Sequence, residues 1–126
     1  MHVIGYILMA ILILSSCTPR VALGPVYLYP KVEPIEIELR SFFFHPNHIA
    51  ILKDSIPFTF RLKNTSEMKH NFTLMDAHKN NLISINVKPN ESTAVTIESL
   101  DPGIYTFYCN RFLHRFLGME GMLMVD

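Results

Sequence analysis

From Ile35 onward, apolar and polar residues alternate with a period of two. In "IEIELR", Ile35, Ile37 and Leu39 share one face and Glu36, Glu38 and Arg40 the other. In "PFTFRLK", Phe58, Phe60 and Leu62 oppose Thr59, Arg61 and Lys63. Successive side chains of a strand point to opposite faces, so each segment reads as a strand with one buried side. The same pattern predicts strands over His70–Met75, Leu82–Val87, Ala94–Glu98, Ile104–Cys109 and Met122–Val125. Turn-forming stretches separate them: "LKDS", "KNTSE", "KPNE" and "DPG". No long amphipathic helix, internal repeat or low-complexity segment interrupts this rhythm. Short strands at such spacing predict an all-β fold, a Greek-key β-sandwich or barrel of about seven to eight strands.

The N-terminal pattern is different. "VIGYILMAILILSS", Val3 to Ser16, carries no charge and ends at Cys17. Its length suits the apolar core of a signal peptide, roughly 7–15 residues, better than a membrane span. "LSSC" resembles a bacterial lipobox, in which cleavage precedes the cysteine and that cysteine carries lipid. The preceding "MH" lacks the usual Lys or Arg, and an uncleaved membrane anchor is the competing reading. Thr18 to Pro34 holds four prolines and one glycine and reads as a tether. The expected organisation is a signal peptide over 1–16, a lipid-anchored tether over 17–34 and one domain over 35–126. The expected location is the bacterial cell envelope, outside the cytoplasmic membrane, held there by the N-terminal lipid.

Charge narrows the function. Lys plus Arg and Asp plus Glu are 11 each in 126 residues, which lacks the basic excess of a nucleic-acid binder. There are two cysteines. With Cys17 lipidated, Cys109 has no disulfide partner in its own chain, and an exported lone thiol has to be buried or bound.

"YCNRFLHRFLGMEG" brings the chemistry together. Cys109, His114 and Met119 follow one another with four residues between each pair. Cys109 ends one predicted strand, and His114 and Met119 lie in the loop before the next, with Gly118 and Gly121 letting the chain turn back. A thiolate, an imidazole and a thioether converging from one loop suit copper in both oxidation states. The thioether argues against zinc, and a structural zinc site would use more cysteines. Met122 competes with Met119, but as the start of a strand it has a core role open to it. A fourth donor has to come from the opposite sheet, with His45, His48, His70 and His78 as candidates.

Those residues carry a resemblance. "HNF" at 70–72 and "GIYTFYC…H…GMEGMLMV" at 103–125 look like a cupredoxin, the type 1 blue-copper family. The C-x4-H-x4-M spacing is similar to that of its rusticyanin and auracyanin branch. "FFFHPNHIAILKDSIPFTFRLKN" fits the family's early strands, so the likeness covers about residues 35–126. It implies one copper per chain, with His70, Cys109 and His114 as strong ligands and Met119 as the weak axial one. It also implies that the Asn71 backbone N–H donates to the Cys109 sulfur. Relatives usually carry Pro-Gly directly before the second histidine, where this chain has Phe112 and Leu113.

Taken singly, a buried cysteine, a core methionine or a histidine at a strand start is ordinary. Together and in this order they point to metal, whereas His45, His48 and His78 read as exposed turn histidines. A Cys–His hydrolase would need an orienting third residue and a cleft. A two-copper centre would need two cysteines in the loop, and a copper nitrite reductase would need a second domain. The expected protein is therefore a monomeric one-electron carrier and not an enzyme. Alternatives are a copper delivery or storage lipoprotein and a metal-free interaction module. The resemblance places an electron portal at the second histidine, and Arg111, Phe112, Arg115 and Phe116 beside it form a candidate docking patch for a c-type cytochrome or a terminal oxidase.

Overall fold

The computed structural model describes residues 22–29 and 34–126. Residues 1–16 and Cys17, read above as signal and lipid site, lie outside the described residues. Among the described residues no helix is long and apolar enough to cross a membrane.

Among the described residues ten strands run in chain order: β1 Tyr27–Tyr29, β2 Ile35–Arg40, β3 Phe43–His45, β4 His48–Ile51, β5 Phe58–Asn64, β6 His70–Met75, β7 Asn81–Val87, β8 Ser92–Ile97, β9 Gly103–Tyr108 and β10 Glu120–Val125. They form a six-stranded sheet, β1-β4-β10-β9-β6-β7, and a four-stranded sheet, β3-β2-β5-β8. The sandwich expected from the alternation is present, and every segment with clean alternation is a strand.

The three additional strands are short. Tyr27–Tyr29 falls inside the segment expected to be tether, yet it adds to the sheet edge parallel to β4, Tyr27 opposite Ile49. Its two tyrosines favour extended backbone, but three residues between prolines are too few to show a period. β3 and β4 are divided by Pro46, where the chain leaves the four-stranded sheet and enters the six-stranded one. The proline hides what would otherwise be one strand-like run, "FFHPNHIAI".

The inward faces meet in an aromatic centre. Phe44 lies 5.3 Å from Phe107, Phe60 lies 5.3 Å from Phe72, and Phe72 stacks on Phe107 at 5.4 Å. Such pairs contribute about 0.5–1.5 kcal/mol each beyond their buried area. Ile35, Ile37, Leu39, Leu62 and Leu123 fill the space around them. The Tyr105 hydroxyl donates to the Asp101 carbonyl at 2.7 Å and pins the start of β9 to the preceding turn. β6 departs from simple alternation because Asn71 and Thr73 are buried on its second face as well.

Candidate metal centre

His70 opens β6, Cys109 follows the last residue of β9, and Met119 precedes β10. All three strands belong to the six-stranded sheet, with β6 paired to β9 and β9 to β10. This corrects the expectation that the fourth donor, His70, would come from the opposite sheet. Chain order does not reveal which strands become neighbours, and here β6 inserts directly beside β9. The opposite sheet instead supplies the turn after β2, where Ser41 Oγ lies 3.5 Å from His70 Nε2. Next to it the Phe42 ring centroid is 4.8 Å from that of His114.

The loop from Asn110 to Gly118 is drawn into a compact clip by its own backbone. The Cys109 N–H donates to the Met119 carbonyl at 3.1 Å, and the Met119 N–H donates to the His114 carbonyl at 3.1 Å. Within the clip, the His114 N–H donates to Arg111, Leu117 to Leu113 and Gly118 to Arg115. Gly118 adopts φ 118° and Leu113 adopts φ 64°. Leu113 thus holds the left-handed conformation that favours glycine, at the position where relatives usually carry one. Gly121 serves another purpose than the turn expected of it. It lies within β10, and a Cβ there would sit 2.3 Å from the Phe107 ring.

The clip brings three donors to one point. His70 Nδ1 and His114 Nδ1 are 3.2 Å apart, and Cys109 Sγ is 3.4 Å from His114 Nδ1. The three ligand atoms all lie within 4.8 Å of one another. His70 and Cys109 are fully buried and His114 is 6% exposed. Burial lowers the His70 pKa to about 4, helped by His114 and by the positive charge of Arg111. The His114 pKa is also lowered, by burial first and Arg111 second. Both imidazoles are therefore neutral at pH 7, with lone pairs available. Two imidazole nitrogens and a thiol sulfur on one buried point are a donor set for a transition metal. Met119 is fully buried and its backbone bridges Cys109 and His114. Met122 is half-buried on the face of β10 that points away from the Leu123 core, not in the core role expected of it.

The Asn71 backbone N–H donates to Cys109 Sγ at 3.3 Å, the contact the sequence resemblance implied. A hydrogen-bonded ring that the sequence reading missed stands behind it. Thr73 Oγ1 donates to Asn71 Oδ1 at 2.6 Å. With its one proton so used, Thr73 accepts from Ser84 Oγ at 3.0 Å. Ser84 in turn accepts from Asn71 Nδ2 at 3.2 Å, closing the circuit in one sense. The second proton of Asn71 Nδ2 goes to Asn86 Oδ1 at 3.1 Å, and Asn71 Oδ1 also accepts from the Asn110 N–H at 3.4 Å. The only sequence signal for this was polar residues at matching alternate positions, 71 and 73 facing 86 and 84.

Of the other histidines, His45 and His78 are exposed as expected. His48 is half-buried in β4, where Nδ1 lies 3.4 Å from the Gly24 carbonyl and Nε2 is buried with no partner among the described residues. It is not the exposed turn residue the sequence suggested. In the presumed docking patch, Phe112 and Phe116 are exposed. Arg115 is bound to Glu120 at 3.1 and 3.2 Å and lies 4.3 Å from the centre of the Tyr108 ring. Among the described residues Arg111 makes no ion pair.

The family model for a cupredoxin-like domain matches residues 6–125. No curated protein sequence matches the chain. Among solved structures, reduced auracyanin from Roseiflexus castenholzii is 18% identical with a TM-score of 0.68, covering 77% of this chain and 99% of that one. Auracyanin A of Chloroflexus aurantiacus, described as a "blue" copper protein, is 21% identical with a TM-score of 0.62, covering 81% and 100%. Reduced rusticyanin is 16% identical with a TM-score of 0.62, covering 80% and 84%. At these identities the likeness shows a shared fold.

Proposed function

The chain belongs to the cupredoxin-like family, and we propose that it is a one-electron carrier holding a single copper ion through His70, Cys109 and His114, with Met119 as a distant fourth donor. The observation that carries this reading is the convergence of three buried donor atoms within 4.8 Å. Bound there, copper supplies a one-electron couple between Cu(I) and Cu(II).

Everything else is the work of the chain. His70 and His114 present neutral nitrogens, since burial keeps protons off both rings. Cys109 would hold copper as thiolate, the metal displacing its proton to solvent, and the Asn71 N–H donates to that sulfur. The clip's internal hydrogen bonds restrain the loop donors, which favours small movement on a change of oxidation state. Small rearrangement between the two states keeps the barrier to electron transfer low. His114, the least buried donor, is the exit toward the surface.

The apolar run from Val3 to Ser16 and the "LSSC" ending support lipidation at Cys17 and a site of action outside the cytoplasmic membrane. Residues 1–16 are then a signal, and the copper domain takes in β1, Tyr27–Tyr29, together with 35–126. A c-type cytochrome or a terminal oxidase is the fitting class of partner. Contacts of that kind bury less than about 1,200 Å², and the exposed Phe112 and Phe116 supply an apolar surface of suitable kind beside His114. With Arg115 tied to Glu120, the free positive charge there is Arg111.

Copper titration tests the reading. Addition of Cu(II) should produce an intense visible thiolate-to-copper band, bleached by ascorbate and restored by an oxidant. Cys109→Ser should fold and lose the band. Colourless Cu(I) binding with ready transfer to a chelator would instead assign copper delivery, and a Cys109→Ser protein that kept the band would remove Cys109 from the site.

A further inference from the structure

The chain enters the domain at the metal end. β1 runs parallel to β4, and β4 runs parallel to β10, with Met122 opposite His48 and Val125 opposite Ile51. β10 begins one residue after Met119, so tracing β1 back toward its N-terminus leads to the pole that carries the donors. Hydrogen bonds fix this path. The Gly24 N–H donates to Asn47 Oδ1 at 2.8 Å, and Asn47 Nδ2 donates to the Ala22 carbonyl at 3.1 Å. The Asn47 carbonyl itself accepts from the Met122 N–H at 2.8 Å. Ala22 thus stands at or above the level of Gly121, two strand spacings to the side, or about 10 Å.

Cys17 is five residues before Ala22. Five residues span at most about 17 Å, whereas a domain of this size is roughly 30 Å across. An anchor at Cys17 can reach the metal pole and cannot reach the opposite one. The same pole carries the largest apolar exposure of the clip: Phe112 88%, Phe116 62%, Leu113 53% and Leu117 53% exposed. Arg111 stands beside them, close enough to the site for its charge to act on both His70 and His114. Bulky apolar side chains with an adjacent arginine are the composition of an interfacial membrane contact.

We propose that the protein rests metal pole down on an anionic lipid bilayer, with Phe112, Leu113, Phe116 and Leu117 entering the interface and Arg111 meeting the headgroups. This rests on the anchoring proposed for Cys17. The entry path and the exposed tip are separate features, one in β1 and one in the clip, and both select the same pole. With Phe112 and Phe116 in the interface they are not free to receive a soluble cytochrome, so this orientation replaces the protein docking given to them above and requires a redox partner resident in the same membrane.

The chain contains no tryptophan, so a single one reports position. Full-length lipidated protein carrying Phe112→Trp is reconstituted into phosphatidylcholine–phosphatidylglycerol vesicles with bromine on the acyl chains. A second protein carries Leu52→Trp, an exposed position beside the C-terminal end of β10 at the far pole. The expected result is strong quenching and a blue shift for Trp at 112, with neither for Trp at 52. Both variants change exposed side chains, and retention of the visible copper band verifies their fold. If both proteins sediment with vesicles but Trp at 112 is quenched no more than Trp at 52, the orientation is overturned while the anchor stands, and the tip falls to a protein partner. If neither sediments any better than Cys17→Ala, the anchor fails and the orientation with it.

Discussion

Gly121→Ala should be among the most damaging single-methyl additions available to this domain. An ideal Cβ at 121 lies 2.3 Å from two atoms of the Phe107 ring and 2.7 Å from the Asn47 carbonyl oxygen. Neither neighbour can yield cheaply. Phe107 is fully buried, with Phe44 at 5.3 Å and Phe72 at 5.4 Å on its other sides. The Asn47 carbonyl is backbone, and it accepts the Met122 N–H that joins β10 to the start of β4. Overpacking of a filled core costs about 1–3 kcal/mol, and with two immovable neighbours the upper part of that range applies, about 2–3 kcal/mol. At roughly 4–8 °C per kcal/mol for a domain this size, Tm should fall by roughly 10–20 °C. In urea the midpoint should drop by about 2–3 M at unchanged m, taking m near 1 kcal/mol/M. Gly24→Ala is the control. Its nearest contact is a side-chain oxygen at 3.4 Å, so it should stay within about 0.5 kcal/mol of wild type. A midpoint for Gly121→Ala that matched Gly24→Ala would refute the close approach of Phe107 to β10.

Two further outcomes follow from the clip. Met119→Leu should keep the copper band and raise the reduction potential, because loss of a weak donor to Cu(II) favours Cu(I), while Met122→Leu should leave the potential unchanged; spectroelectrochemical titration of both proteins checks the choice of methionine. Leu113→Gly should stabilise the domain by about 0.5–1 kcal/mol, since the left-handed φ costs a leucine about 1–2 kcal/mol and glycine returns part of that as chain entropy; Leu113→Ala, which keeps the strain, should bring no gain in a urea melt.

The legibility of this fold in its sequence varied with the clarity of the local pattern. "IEIELR" and "PFTFRLK" show an unbroken period of two because each has one face in the core and one in water. β6 is buried on both faces, and its second face reads as polar because Asn71 and Thr73 satisfy each other and β7 within the protein. β1, β3 and β4 are three or four residues long and bordered by prolines, so no period develops. In the site, donor types and spacing were visible along the chain. The sheet that supplies His70 was not, since strand adjacency depends on long-range pairing. Ser41 and Phe42 escape a sequence reading for the same reason, and Arg115 enters the candidate docking patch because nothing local announces its bond to Glu120 five residues on.

The ring through Asn71, Thr73 and Ser84 has a consequence for how this chain can change over generations. Each member gives and receives one proton in a single direction around the circuit. Thr73→Val alone would leave the Asn71 carbonyl with only the Asn110 N–H and would strand the Ser84 hydroxyl proton, and Ser84→Ala alone would leave Asn71 Nδ2 with only Asn86. Replacing 73 and 84 together by apolar residues removes the stranded Ser84 hydroxyl that the single change at 73 leaves behind, so the double change should cost less than the sum of its parts. Positions 73 and 84 should therefore change as a pair. Lineages that lose one hydroxyl should soon lose the other, and serine at 73 is the one substitution open to that position by itself.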